Sequence, residues 1–286
     1  MQGKSFARAR RPHSSIRAII YRENRPELRD PSKWRIVKKA LGKEFPYEYP
    51  MQVETPSGMK LVIKNAEALK RWRNSYMLDR ELKGERGALV SAVMAIGRRV
   101  RVESPLASYV DAKKRRFHVF RFVKGTSGQE AFNNQKMSAD QKREIGLKIA
   151  ETIGKMHRVG IWHGHPHMGN FIIDGSRVTV LDTKQMLTKE EVEKRKSKKL
   201  FVPAYQEGYE KAKLSEFYHF LHEAWHVIGN YYLFRTPEDF ELALNAYFKG
   251  LGKRDDYFYQ HIRGMAKGLL AGQRLNIEMR RHYDED

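Results

Sequence analysis

The chain changes its rhythm of hydrophobic and polar positions near residue 125. Before that point, apolar residues alternate with polar ones over short runs at 34–38, 51–55 and 59–64, which predicts half-buried strands. Pro56-Ser57-Gly58 between the last two reads as a hairpin turn. Residues 65–96 predict a helix, with Glu81, Glu85, Leu89 and Val93 sharing one face and Gly84 and Gly87 marking a bend. Two further strands follow at 106–110 and 117–123 around a charged turn at 111–116. Beyond Gly125 the period lengthens. Ser138 to Gln141 forms a capping box, and Ile145, Ile149, Ile153 and Met156 form a helical stripe that stops at Gly160. A tight hairpin is predicted over 170–182, turning at Asp174-Gly175-Ser176. Residues 183–213 read as loop, and helices are expected near 214–233, 237–251 and 257–281. The class is therefore α+β, strand-rich first and helical afterwards. Three regions are expected: a basic arm at 1–33, a sheet-bearing lobe at 34–121 and a helical lobe at 122–286.

Composition sharpens this picture in three ways. The 286 residues include 41% hydrophobic ones, enough to bury a sizeable core. Lysine and arginine number 55 against 34 acids, a net charge of +21, which favours contact with polyanions such as nucleic acid or a phosphorylated glycolipid. There is no cysteine, which excludes thiol catalysis, disulfides and Cys-ligated zinc. No apolar run is long enough for a transmembrane segment, and a cytoplasmic location is expected.

Five features then follow one another along the chain. Leu61-Val62-Ile63-Lys64 ends a strand on a lysine. Glu85 lies in the helix after it. Phe120, Arg121 and Val123 end the last strand before the change of rhythm. His163-Gly-His165-Pro-His167-Met-Gly-Asn170 follows a helix, and Asp182 ends the strand after a hairpin. Taken singly, each has a bland reading: an edge lysine, a surface acid, a core aromatic, turn-forming Asn and Asp. A fixed ammonium suits phosphate charge, and Asn and Asp supply the hard oxygens that Mg²⁺ requires.

In this order the features resemble the protein-kinase-like superfamily over roughly residues 34–230. The resemblance implies a two-lobed fold, an antiparallel sheet plus one helix in the first lobe, and use of ATP and Mg²⁺. It implies that Lys64 meets the α/β-phosphates and is oriented by Glu85, with Glu81 as a competitor. It implies that Phe120 backs the adenine while the backbone of Arg121 and Val123 bonds its edge. It implies that Asn170 and Asp182 hold the metal. The wording of the loop is similar to the atypical and small-molecule branch: aminoglycoside phosphotransferases, ubiquinone-biosynthesis atypical kinases, lipopolysaccharide-core sugar kinases and the small kinase of the tRNA-threonylcarbamoylation complex. The acceptor stays open among an anionic sugar, a glycolipid and a protein.

The departures carry information too. His165 stands where these kinases have the catalytic aspartate; a neutral imidazole can take a hydroxyl proton in its place. The stretch 41–50 is poor in glycine for a phosphate loop, and the tripeptide at the metal position is Asp182-Thr183-Lys184. A pseudokinase, binding nucleotide or a partner without turnover, is therefore the alternative. A third reading is a zinc hydrolase, since His222-Glu223-Ala-Trp-His226 is a literal H-E-x-x-H.

Overall fold

The computed structural model describes residues 17–20, 26–38, 51–65, 100–103, 105–110, 116–182, 186–194, 208–226 and 236–283. The chain divides into two compact units, Met1–Val93 with Glu103–Val123, and Met94–Val102 with Lys124–Asp286. Antiparallel pairing dominates the first and helices the second, the α+β class expected from the pattern.

The described part of the first unit is a six-stranded antiparallel sheet in the order β1-β6-β7-β4-β3-β2. Its strands are β1 (Arg17–Ile20), β2 (Arg35–Lys38), β3 (Met51–Glu54), β4 (Lys60–Asn65), β6 (Pro105–Val110) and β7 (Arg116–Arg121). The β3–β4 turn is the predicted one. Gly58 donates its N–H to Thr55 O at 2.9 Å and sits at φ 84°, a left-handed value that a side chain would strain. Alternation puts Leu61 and Ile63 of β4 on the same face as Val53, Val119, Ala107 and Tyr109. All are buried, packed with Leu28 and the fully buried Trp34. Burial of each large side chain contributes about 1.5–3 kcal/mol. Trp34 donates its indole N–H to Glu27 O at 2.9 Å and meets Tyr109 edge-on at 5.6 Å. The Tyr109 hydroxyl donates to Leu28 O, and burial raises its pKa well above the ordinary tyrosine value.

Two expectations meet the structure differently here. Part of the stretch set apart as an arm is built into the unit: β1 pairs with β6, and Leu28 and Pro31 are buried on single 3-10 turns at Pro26–Leu28 and Pro31–Lys33. The helix expected over 65–96 and the glycine-poor stretch 41–50 lie outside the described residues, apart from Asn65, which ends β4.

In the second unit, β5 (Arg101–Val102), β8 (Thr126–Ser127), β10 (Phe171–Asp174) and β11 (Arg177–Val180) form one sheet. The β10–β11 hairpin is the one read from the sequence, while β5 joins β11 in parallel. A ribbon of β9 (Ile161–Trp162) and β12 (Leu187–Thr188) closes the loop between them. The helices are α1 (Gly128–Asn133), α2 (Ala139–Arg158), α3 (Lys189–Glu193), α4 (Tyr209–His226), α5 (Pro237–Leu251) and α6 (Asp256–Tyr283). Ser138 and Gln141 cap α2 reciprocally as predicted. Helices α2 and α5 touch backbone to backbone. A Cβ on Gly154 would lie 2.1 Å from Tyr247 O, and one on Gly250 would lie 2.0 Å from Glu151 O. Beside that contact Tyr247 stacks on Phe258 at 4.6 Å and lies 4.4 Å from Phe217.

Candidate active site

Two sets of polar side chains stand out, one in each unit. In the first unit Lys64 is on β4, whose pairing with β3 and β7 holds its backbone on both sides. Lys64, His118 and Phe120 share the face opposite the Trp34 core, since Lys64 pairs with His118 and Val62 with Phe120. The Lys64 Nζ donates to both oxygens of Glu103, at 2.6 and 2.8 Å. It also stands 4.7 Å from the centre of the Phe120 ring. Phe122 N donates to Lys60 O at 3.1 Å, so by strand alternation Arg121 turns its own N–H and C=O away from β4. Glu85, the partner implied for Lys64, lies outside the described residues, as does Glu81.

The second set is the loop after β9. Glu216 of α4 is 3% exposed and organises it. One carboxylate oxygen accepts from His163 N and Gly164 N, both at 2.8 Å. The other accepts from His157 Nε2 at 2.7 Å. A carboxylate can only accept, so His157 donates there; Tyr247 closes its other side, hydroxyl to Nδ1 at 2.8 Å. Burial holds the Tyr247 hydroxyl well above the ordinary tyrosine value, so it remains an O–H.

His163 is fully buried and carries the loop forward. Its Nδ1 accepts from His165 N at 3.2 Å, so the ring proton is on Nε2, which donates to Leu181 O at 2.9 Å. The His165 carbonyl accepts twice, from His167 N at 2.9 Å and from Asn170 Nδ2 at 2.8 Å. The backbone of His165 is thereby held at both its N–H and its C=O. Its half-buried ring lies 4.6 Å from that of His167 and 6.1 Å from that of His219 on α4. Asn170 O accepts from Leu181 N at 2.7 Å, which ties the two ends of the hairpin together and sets Asp182 immediately beyond. Asp182 has φ 58°, the one non-glycine with positive φ among the described residues. Such a backbone costs of order 1–3 kcal/mol and persists where the surroundings impose it.

The donor set at the hairpin mouth suits a hard cation. Asn170 donates an amide N–H to His165 O, and its Oδ1 and the Asp182 carboxylate are hard oxygens that could hold one. Among the described residues there is no group of three His, Asp or Glu side chains arranged for a metal. The H-E-x-x-H segment is helical, as the last turn of α4, and its side chains lie outside the described set.

Sequence reading missed two carboxylates. Glu103 sits next to Val102 in the mixed stretch Arg101-Val102-Glu103-Ser104 and is itself only 4% exposed. Glu216 lies one turn from Ala212 and Phe220 on the buried face of α4, where a charge is unexpected. An acid at an apolar position of a helical stripe was the available signal for Glu216; the mixed sequence around Glu103 offered none.

Comparison with known families bears on the same segment. Residues 100–211, under half of the chain, match the family WaaY, described as lipopolysaccharide core biosynthesis protein. The match covers Glu103, the end of β7, the His163–Asn170 loop and Asp182; Lys64 and Glu85 precede it. Among the branches that the loop resembles, it supports the lipopolysaccharide-core kinases, and at that coarse level a kinase-like phosphotransferase. No curated protein matches the chain. Among the described residues no helix is long and apolar enough to cross a membrane.

Proposed function

We propose that the chain is an ATP- and Mg²⁺-dependent phosphotransferase that phosphorylates a sugar hydroxyl of the lipopolysaccharide core, on the cytoplasmic side where ATP is supplied. The observation that carries this is the constellation at the hairpin mouth. Hydrogen bonds through His163 link His165, Asn170 and Leu181, the residue before Asp182, in a segment that matches a lipopolysaccharide core family.

Asn170 Oδ1 and the Asp182 carboxylate would hold Mg²⁺, which when bound neutralises phosphate charge. Lys64 meets the phosphates from its strand. Phe120 backs the adenine, and Arg121 and Val123 bond its edge through their backbone. The acceptor oxygen forms a bond to the γ-phosphorus as the bond to the β,γ-bridging oxygen breaks. ADP leaves, and the hydroxyl proton passes to the His165 imidazole. Phosphoryl transfer depends mostly on positioning and charge neutralisation, so an imidazole suffices where most relatives in the superfamily carry a carboxylate. The basic surface, with a net charge of +21, suits an anionic glycolipid acceptor.

The second reading is a pseudokinase, favoured by His165 alone. Labelled ATP with core oligosaccharide, simple sugars and protein acceptors separates the two. Transfer to core oligosaccharide that is lost in Asp182→Ala supports the phosphotransferase. ATP binding without transfer to any acceptor supports the pseudokinase. No binding at millimolar ATP removes the phosphotransferase and leaves only a pseudokinase that binds a partner.

A further inference from the structure

We propose that Glu103 is the positioning residue that aims the Lys64 ammonium at the nucleotide. This rests on the reading that Lys64 meets the phosphates of ATP, and it gives to Glu103 the role that the resemblance assigns to Glu85.

The argument begins with asymmetry. An ion pair that only fills a core buries both partners. Here the carboxylate is 4% exposed and the ammonium side chain 25% exposed, so the pair presents its cation outward. An ionised carboxylate out of water needs a partner, and Lys64 meets both oxygens of Glu103. An ammonium has three N–H donors. Two are taken at 2.6 and 2.8 Å, which leaves the third for a ligand oxygen. The Phe120 ring at 4.7 Å restricts the lysine further.

Both ends of the pair have anchored backbones. Lys64 lies inside the sheet between β3 and β7. Glu103 lies between the ends of β5 and β6, one residue beyond Val102 and two before Pro105. A pre-formed pair of this kind keeps the ammonium at one place before ATP arrives, which lowers the entropic cost of binding.

The test uses the full chain with Glu103→Gln, Glu103→Asp and Glu85→Gln. Calorimetry reads MgATP affinity, thermal melting checks the fold, and an amine-reactive probe with mass spectrometry reads the reactivity of Lys64 in nucleotide-free protein. Glu103→Gln is expected to weaken MgATP at least tenfold and to raise Lys64 labelling several-fold. Glu103→Asp, which keeps the charge but shortens the reach, is expected to recover part of both. Glu85→Gln is expected to have the smaller effect on both. If Glu103→Gln does not fold, Glu103→Asp carries the test: affinity and labelling both equal to wild type overturn the proposal. Loss in Glu85→Gln with Glu103→Gln unchanged also overturns it. A folded wild-type chain that binds no MgATP overturns the phosphotransferase reading itself, whereas wild-type binding that Glu103→Gln retains in full overturns only the role of Glu103.

Discussion

Glu103 and Glu216 are buried to nearly the same degree, at 4% and 3% exposure, yet they are satisfied by opposite means. Glu103 is met by a partly exposed ammonium whose remaining N–H can serve a ligand. Glu216 is met by two peptide N–H groups and a buried imidazole, none of which can leave. The first arrangement suits a group that must hand charge to a substrate. The second suits a scaffold that holds a loop still. Burial of the acid alone does not separate function from framework; the exposure of its counter-group does.

The largest effect should come from breaking the scaffold. Glu216→Ala strips the acceptor from His163 N, Gly164 N and His157 at once, and about 3–5 kcal/mol of stability is expected to go, read by urea unfolding. Glu216→Gln keeps a carbonyl oxygen for the two peptides and should lose clearly less. If the alanine variant unfolds like wild type, the loop is not held from α4 and the contrast with Glu103 fails.

His165 sharpens the comparison from within the loop. Its backbone belongs to the scaffold, and its ring does not. His165→Ala is expected to leave stability within about 1 kcal/mol of wild type and to lower turnover about 10²-fold. Undiminished transfer in a labelled-ATP assay would assign the proton to another group.

Lys64→Ala should weaken MgATP at least tenfold, about 1.4 kcal/mol, and also cost about 1–2 kcal/mol of stability because the buried Glu103 loses that ammonium. Adding Glu103→Gln is expected to restore the stability without restoring nucleotide binding. A double variant as unstable as Lys64→Ala would show that the pair does not behave as a matched charge.

The smallest effect serves as a control on surface charge. Burial pushes the Glu151 carboxyl up, but hydrogen bonds and charge from Lys155 and Lys249 more than reverse it and leave it below the ordinary glutamate value. Lys155 meets it at 2.7 Å within α2, and Lys249 meets it at 2.9 Å from α5. A depressed carboxylate contributes stability above its unfolded pKa and loses it as pH falls through the folded one. Glu151→Gln should therefore cost under about 1 kcal/mol near neutral pH, and the difference from wild type should shrink below about pH 4.

Local chemistry was legible wherever it is written into neighbouring residues. The Ser138–Gln141 box, the Gly58 turn and the β10–β11 hairpin all depend on contacts a few residues apart, and each formed where the pattern put it. The hidden features join distant residues. Glu103 lies 39 positions from Lys64, and Glu216 lies 53 from His163. The parallel pairing of β5 with β11 is equally remote, and a two-residue strand leaves no periodicity to read. Within the site, the spacing of His163, His165 and Asn170 pointed to the loop. That His163 holds His165 N through Nδ1, while its Nε2 reaches Leu181, follows only from the fold.

The contact between Gly154 and Gly250 has a consequence for anyone mapping this protein by saturation mutagenesis. Even alanine at either position would drive a methyl group into a carbonyl oxygen about 2 Å away. Both glycines would score as intolerant as any residue that handles phosphate. A tolerance map read without its geometry would thus mark the α2–α5 seam as a centre of activity for a reason that is steric: two helices need room.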